Sequence, residues 1–163
     1  MKQFLFLLLF AHTLLGHGFG SSTSIVLACQ SDKSISYICN HFKPKEYNVI
    51  SFDRTRAREC ATPIILCGKS KASCYIILKL KAITHQEIVC TPTQEFYCAT
   101  TSQWIPAYKI QTGTKLRCRH GTTEVIDIQL IDQYIPIYTI KIPQNHNFYV
   151  TNHAVLTYNM VSL

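Results

Sequence analysis

His146-Asn147-Phe148-Tyr149-Val150-Thr151-Asn152-His153-Ala154-Val155-Leu156-Thr157-Tyr158-Asn159 is the stretch whose reading decides the fold of this 163-residue sequence. Its apolar and β-branched runs at 148–150 and 154–157 read as two short strands. Working outward, the same composition predicts strands at 47–52, 63–66, 74–80, 87–90, 95–98, 115–117, 124–131 and 137–142. Turn formers such as Thr112-Gly113 and Gln144-Asn145 separate them. Helical periodicity is weak, and only 104–110 reads as a short helix or turn, with Pro106 suited to a first turn. Many short strands in one chain predict an all-β, sandwich- or barrel-like body rather than a doubly wound sheet.

The closing stretch resembles the end of a Hint domain, which runs close to His-Asn-Phe-x-Val-x-x-x-x-Val-Leu-Val-His-Asn. Hint domains comprise hedgehog C-terminal domains, inteins and bacterial relatives that cut or splice their own backbone. Tyr158 stands where the penultimate His belongs. Upstream, Thr91-Pro92-Thr93-Gln94-Glu95-Phe96, followed by Trp104-Ile105-Pro106-Ala107 and Gly113-Thr114-Lys115-Leu116, resembles the family's Thr-x-x-His-x-Phe strand and its Trp-x-x-Ala-x-x-Leu-x-x-Gly-Asp-x-Leu continuation. Gln94 replaces the His. Gly18-Phe19-Gly20-Ser21-Ser22-Thr23-Ser24-Ile25 falls in register with the opening Cys-Phe-x-x-Gly-Thr-x-Val, so Gly18 takes the nucleophile's place. Asn48-Val49-Ile50-Ser51-Phe52-Asp53 matches Asp-x-Val-Leu-Ser-x-Asp. The resemblance covers residues 18–159 and implies a Hint-type horseshoe of short strands with both chain ends meeting at one site.

The chemistry it implies is self-cleavage. An opening Cys attacks the preceding peptide bond, the strand His protonates the departing nitrogen, its Thr holds the scissile bond, and a terminal Asn cyclises with help from the penultimate His. Thr91 and Asn159 keep their family positions, whereas Gly18 has no side chain to attack with. Gln94 donates hydrogen bonds but shuttles no proton near neutral pH, a loss of roughly 10²–10⁴-fold in rate. Tyr158 carries a phenol, a side-chain type that is a poor proton shuttle at neutral pH. Met160 offers no nucleophile for splicing. His146 and His153 are expected to be structural or exposed. Cys29 is an alternative nucleophile in a shifted register, at the expense of the Phe19, Thr23 and Ile25 matches. The resemblance therefore implies a bacterial, stand-alone and catalytically degenerate member acting as a binding or structural module. Residual autoproteolysis at Asn159, or through Cys29, is the alternative.

Composition bounds the rest. Lys2, an apolar core from Phe4 to Leu15 and the small exit Gly16-His17-Gly18 read as a secretory signal peptide. The expected organisation is a signal peptide at 1–17, one domain at 18–159 and a tail at 160–163, with export to a periplasmic or extracellular destination. A lipoprotein anchor at Cys29 is disfavoured by the Leu before Ala28. No later run approaches the roughly 20 apolar residues a membrane helix needs. The net charge of +7 favours an acidic protein or an anionic surface as partner. Its basic residues recur two apart, as in Arg54/Arg56/Arg58, Lys69/Lys71 and Lys79/Lys81, which suits the solvated faces of strands. Scattered pairs argue against a nucleic-acid groove. Eight cysteines in an exported chain make disulfides plausible, with roughly a hundred complete pairings open and buried thiols the competing reading. None shows Cys-x-x-Cys spacing, so neither a metal nor another cofactor is expected.

Overall fold

The computed structural model describes residues 16–29, 31–82 and 86–159. Most of the expected signal peptide and all of the expected tail lie outside the described residues. In chain order the elements are β1 Ser24–Ile25, β2 Lys33–Ser34, α1 Ile35–Asn40, β3 Asn48–Asp53, β4 Arg58–Pro63, β5 Leu66–Ala72, β6 Tyr75–Leu80 and β7 Gln86–Cys90. They continue as β8 Glu95–Cys98, β9 Gln103–Pro106, β10 Lys115–Cys118, β11 Gly121–Ile131, β12 Ile135–Lys141, β13 Asn147–Val150 and β14 Val155–Tyr158. The fold is nearly all strand, as the sequence predicts.

The main sheet runs β2-β1-β13-β14-β8-β10-β11-β6-β7, with β9 added beside β8, and curls into a half-barrel. Two separate two-stranded sheets, the hairpin β3 with β4 and the long-range pair β5 with β12, complete the body. Alternation explains the sheet's inner face. Ile76, Leu78 and Leu80 of β6, Phe96 and Cys98 of β8, and Leu116 and Cys118 of β10 are all buried while their neighbours are more exposed. On the outer face Lys79 pairs with Asp127 at 3.1 Å and Lys81 with Glu124 at 3.5 Å. These two lysines are the solvated side of a strand rather than half of a basic groove.

Phe19, Phe96 and Phe148, all fully buried, form the middle of the core; Phe19 meets the other two edge-to-face at 6.3 and 6.2 Å. A second cluster of Val26, Tyr149, Ala154 and Leu156 packs under Phe52, Tyr97 and Trp104. Asn147 joins the two regions. Its Oδ1 accepts from the Phe52 amide at 2.8 Å and its Nδ2 donates to the Phe52 carbonyl at 3.0 Å, which docks the β3–β4 pair on β13.

Two local expectations are corrected. Of the expected helix or turn at 104–110, residues 104–106 belong to β9, paired with β8, and only Ala107–Lys109 turns as a 3-10 segment behind an extended Pro106. Ile105 and Trp104 bury against β8 and the second cluster, so tertiary pairing outweighs the local turn signal. The strand expected at 63–66 breaks in two, because Ile64 and Ile65 lie between β4 and β5. Conversely α1 has no sequence signal beyond its cap: Ser34 Oγ accepts from the Tyr37 amide at 3.2 Å, and six residues are too few to display a period.

Candidate functional site

The segment around Gly18 threads between the end of β7 and the middle of β12. The Phe19 amide donates to the Tyr138 carbonyl at 2.9 Å, and the Tyr138 amide returns the bond at 2.9 Å. On the other side the Gly20 amide donates to the Val89 carbonyl at 2.7 Å and the Thr91 amide to the Gly18 carbonyl at 3.0 Å. With the Phe19 ring sunk in the core, the segment is held on three sides. The consequence for Gly18 is steric. A Cβ there would stand 2.2 Å from Ile137 Cγ2, 3.0 Å from the Tyr138 carbonyl oxygen and 3.1 Å from Thr139 Cγ2. Ile137 is itself buried, so it has no free space into which to retreat. Gly18 is not in the left-handed region that favours glycine; close approach is what requires it.

Thr91 to Gln94 forms a turn closed by the Gln94 amide donating to the Thr91 carbonyl at 3.0 Å. The Gln94 side chain is fully buried, and its Nε2 donates to Thr157 Oγ1 and to the Tyr158 carbonyl, each at 2.7 Å. Thr157 Oγ1 spends its proton on the Glu95 carbonyl at 2.7 Å, so it can only accept from Gln94. That network fixes which way the amide faces. A neutral carboxamide with two N–H groups thus clips β14 to the start of β8.

The β13–β14 hairpin delivers the last residues. Its turn carries Thr151 and Ala154 at φ of 64° and 50°. Asn159 is buried: its amide donates to the His146 carbonyl at 2.8 Å and its Nδ2 to the Ile140 carbonyl at 3.1 Å. The Tyr158 ring leaves the site, lying 5.2 Å from the Trp104 ring and 6.1 Å from the His146 ring, centroid to centroid. His146 is half-buried and serves through its backbone. His153 donates its amide to Gln86 Oε1 at 3.3 Å.

Gly18, Thr91, Gln94, Tyr158 and Asn159 are therefore brought together around β12 and the start of β8, although they span the sequence. Cys29 is not among them. It is exposed in a turn beyond β1, its thiol drawn below the ordinary value by a hydrogen bond with Ser31 Oγ at 3.0 Å. One neighbour escaped the sequence reading: His17, half-buried beside Glu95 and Thr93, has its pKa lowered by burial. Its only sequence cue is adjacency to Gly18. Four buried polar atoms here have no partner among the described residues: His17 Nδ1, Thr91 Oγ1, Gln94 Oε1 and Asn159 Oδ1. Their clustering marks the place where the Gly18 segment, the end of β14 and the Thr91 turn converge.

The reactive groups are few. Cys90, paired across a bridge with Phe19, is completely buried and its thiol is pushed up by that burial, which leaves it a small hydrophobe. Among the described residues no cluster of three His, Cys, Asp or Glu side chains is arranged to hold a metal ion.

No family model matches this chain, and no curated protein does. Solved structures do. A bacterial intein-like domain from Clostridium thermocellum superposes with a TM-score of 0.75 at 20% identity, covering 89% of this chain and 99% of its own. The TvoVMA intein gives 0.75 at 14% identity, with 89% and 99% covered. A DnaB intein from Synechocystis sp. PCC 6803 gives 0.72 at 11% identity, with 90% and 100% covered.

Proposed function

Given an intein-type Hint fold over nearly the whole described chain, we propose that the protein is an exported, catalytically degenerate Hint module that works by binding rather than by cutting itself. The observation that carries this reading is the closure of β12 on Gly18. The nucleophile's position lacks not only a sulfur but room for the carbon that would bear it. Gln94 supports the same reading, because its two N–H groups are committed to Thr157 and Tyr158 as a clip. The partner class is an acidic protein or an anionic surface, met by exposed basic residues such as Arg54, Arg56 and Arg58 at the β3–β4 turn and Lys69 and Lys71 on β5. Among the described residues no helix is long and apolar enough to cross a membrane.

Cleavage at Asn159 is the second reading. What favours it is the buried Asn159 carboxamide, held at the site with its Oδ1 unpaired among the described residues. The intact mass of the protein after export, with and without hydroxylamine, separates the two. The binding module predicts a chain that still ends at Leu163 and gains no fragment with hydroxylamine. Loss of residues 160–163 with a succinimide or Asn terminus at Asn159 overturns it in favour of residual self-cleavage.

A further inference from the structure

Cys39 lies on α1 and Cys67 on β5, both half-buried against the main core. Strand register brings them together. Cys67 pairs with Ile140 of β12 and the adjacent Gly68 with Thr139, while Cys39 Sγ reaches the Thr139 carbonyl at 3.7 Å. Each thiol lies close enough to the other to shift its ionisation. Of the eight cysteines, all free thiols in this structure, these two are thus brought together from positions 28 apart in sequence.

We propose that Cys39 and Cys67 are a disulfide-forming pair that rivets α1 to β5 and so braces β12, the strand that walls the Gly18 site. The site and the bridge share that strand. Tyr138 holds Phe19, Ile137 and Thr139 occlude Gly18, Ile140 holds Asn159, and Thr139 carries the Cys39 contact. Because the two thiols interact, their protons come off as a pair, and either sulfur can attack first.

The co-reactant is a disulfide, either a small-molecule one or that of a thiol oxidase. The thiolate of one cysteine attacks one sulfur of it, forming a mixed disulfide and expelling one thiolate. The other cysteine then loses its proton and attacks the first cysteine's Sγ, closing the bridge and expelling the second thiolate. The two cysteines are oxidised, the co-reactant is reduced to two thiols, and the two protons lost from the cysteines end on those thiols. The proposal does not depend on whether the chain cleaves itself.

The test incubates the full chain in an oxidised/reduced glutathione buffer, alkylates the remaining thiols and maps the peptides, with fragmentation to distinguish Cys67 from Cys60. The expected result is a linked pair carrying Cys39 and Cys67, and a mass lower by about 2 Da for that bridge. Reduction is expected to lower the melting temperature by roughly 10 °C, from the loop the bridge closes. That drop should shrink alike in Cys39→Ser and Cys67→Ser and persist in Cys29→Ser. Alkylation of both Cys39 and Cys67 after oxidation, or linkage of either to a different cysteine, overturns the assignment. An undiminished drop in Cys39→Ser overturns the bracing role.

Discussion

Gly18→Ala asks of the protein whether β12 leaves room for a side chain at Gly18. The added methyl would sit 2.2 Å from Ile137 Cγ2, whereas carbon atoms pack best at about 3.5–4.0 Å. Something must therefore give by about 1.5 Å. The Gly18 segment cannot swing away, because the Phe19, Gly20 and Thr91 amides tie it to β12 and β7, and Ile137 is buried behind the contact. Overpacking of this kind costs about 1–3 kcal/mol. For a chain of this size that corresponds to a melting temperature lower by roughly 2–12 °C. Urea unfolding of Gly18→Ala is compared with Gly16→Ala, where an added Cβ meets nothing within 4 Å and a change inside about 0.5 kcal/mol is expected. Adding Ile137→Ala to Gly18→Ala closes a double-mutant cycle. Because the clash is removed together with Cγ2, the pair should be less destabilised than the sum by about 1 kcal/mol or more. Gly18→Ala as stable as Gly16→Ala, with an additive cycle, would refute the steric argument and reopen the position to a thiol.

Two further outcomes follow from the same geometry. Gln94→Ala removes both donors from Thr157 Oγ1 and the Tyr158 carbonyl in a buried setting, and should cost about 1–3 kcal/mol in urea unfolding; a change near zero would mean the clip contributes nothing. Tyr149 gives the pH prediction. Burial first, and Glu59 second, push its phenol from 10.0 up to about 12. The folded state then holds this proton more tightly than the unfolded chain does, so the contribution is complete below pH 10 and is lost as pH rises from 10 toward 12. Tyr149→Phe should flatten that part of the alkaline unfolding curve, and an unchanged slope refutes the assignment.

The strands at 95–98, 115–118, 147–150 and 155–158 were legible to within a residue or so, because each alternates buried and exposed side chains or sits between turn formers. β5 was legible only at its first residue. Its run Leu66–Ala72 carries Lys69, Ser70 and Lys71 to solvent and owes its strand state to seven register partners on β12. β9 was misread for a related reason: Pro106 suggests a helix start locally, yet the edge position beside β8 accepts it. At the site, Thr91, Gln94, Tyr158 and Asn159 could be picked out by motif spacing, whereas His17 could not.

What the sequence determined by itself is the all-β character and the motif resemblance that singles out Gly18, Gln94 and Tyr158. Those are properties of residue type and local period. What only the tertiary structure decided is why Gly18 admits nothing larger, which way the Gln94 amide is spent, and that Cys39 faces Cys67. Each of these is a contact between residues tens to more than a hundred positions apart. Such contacts are set by sheet register and close packing, which leave no local pattern in the chain.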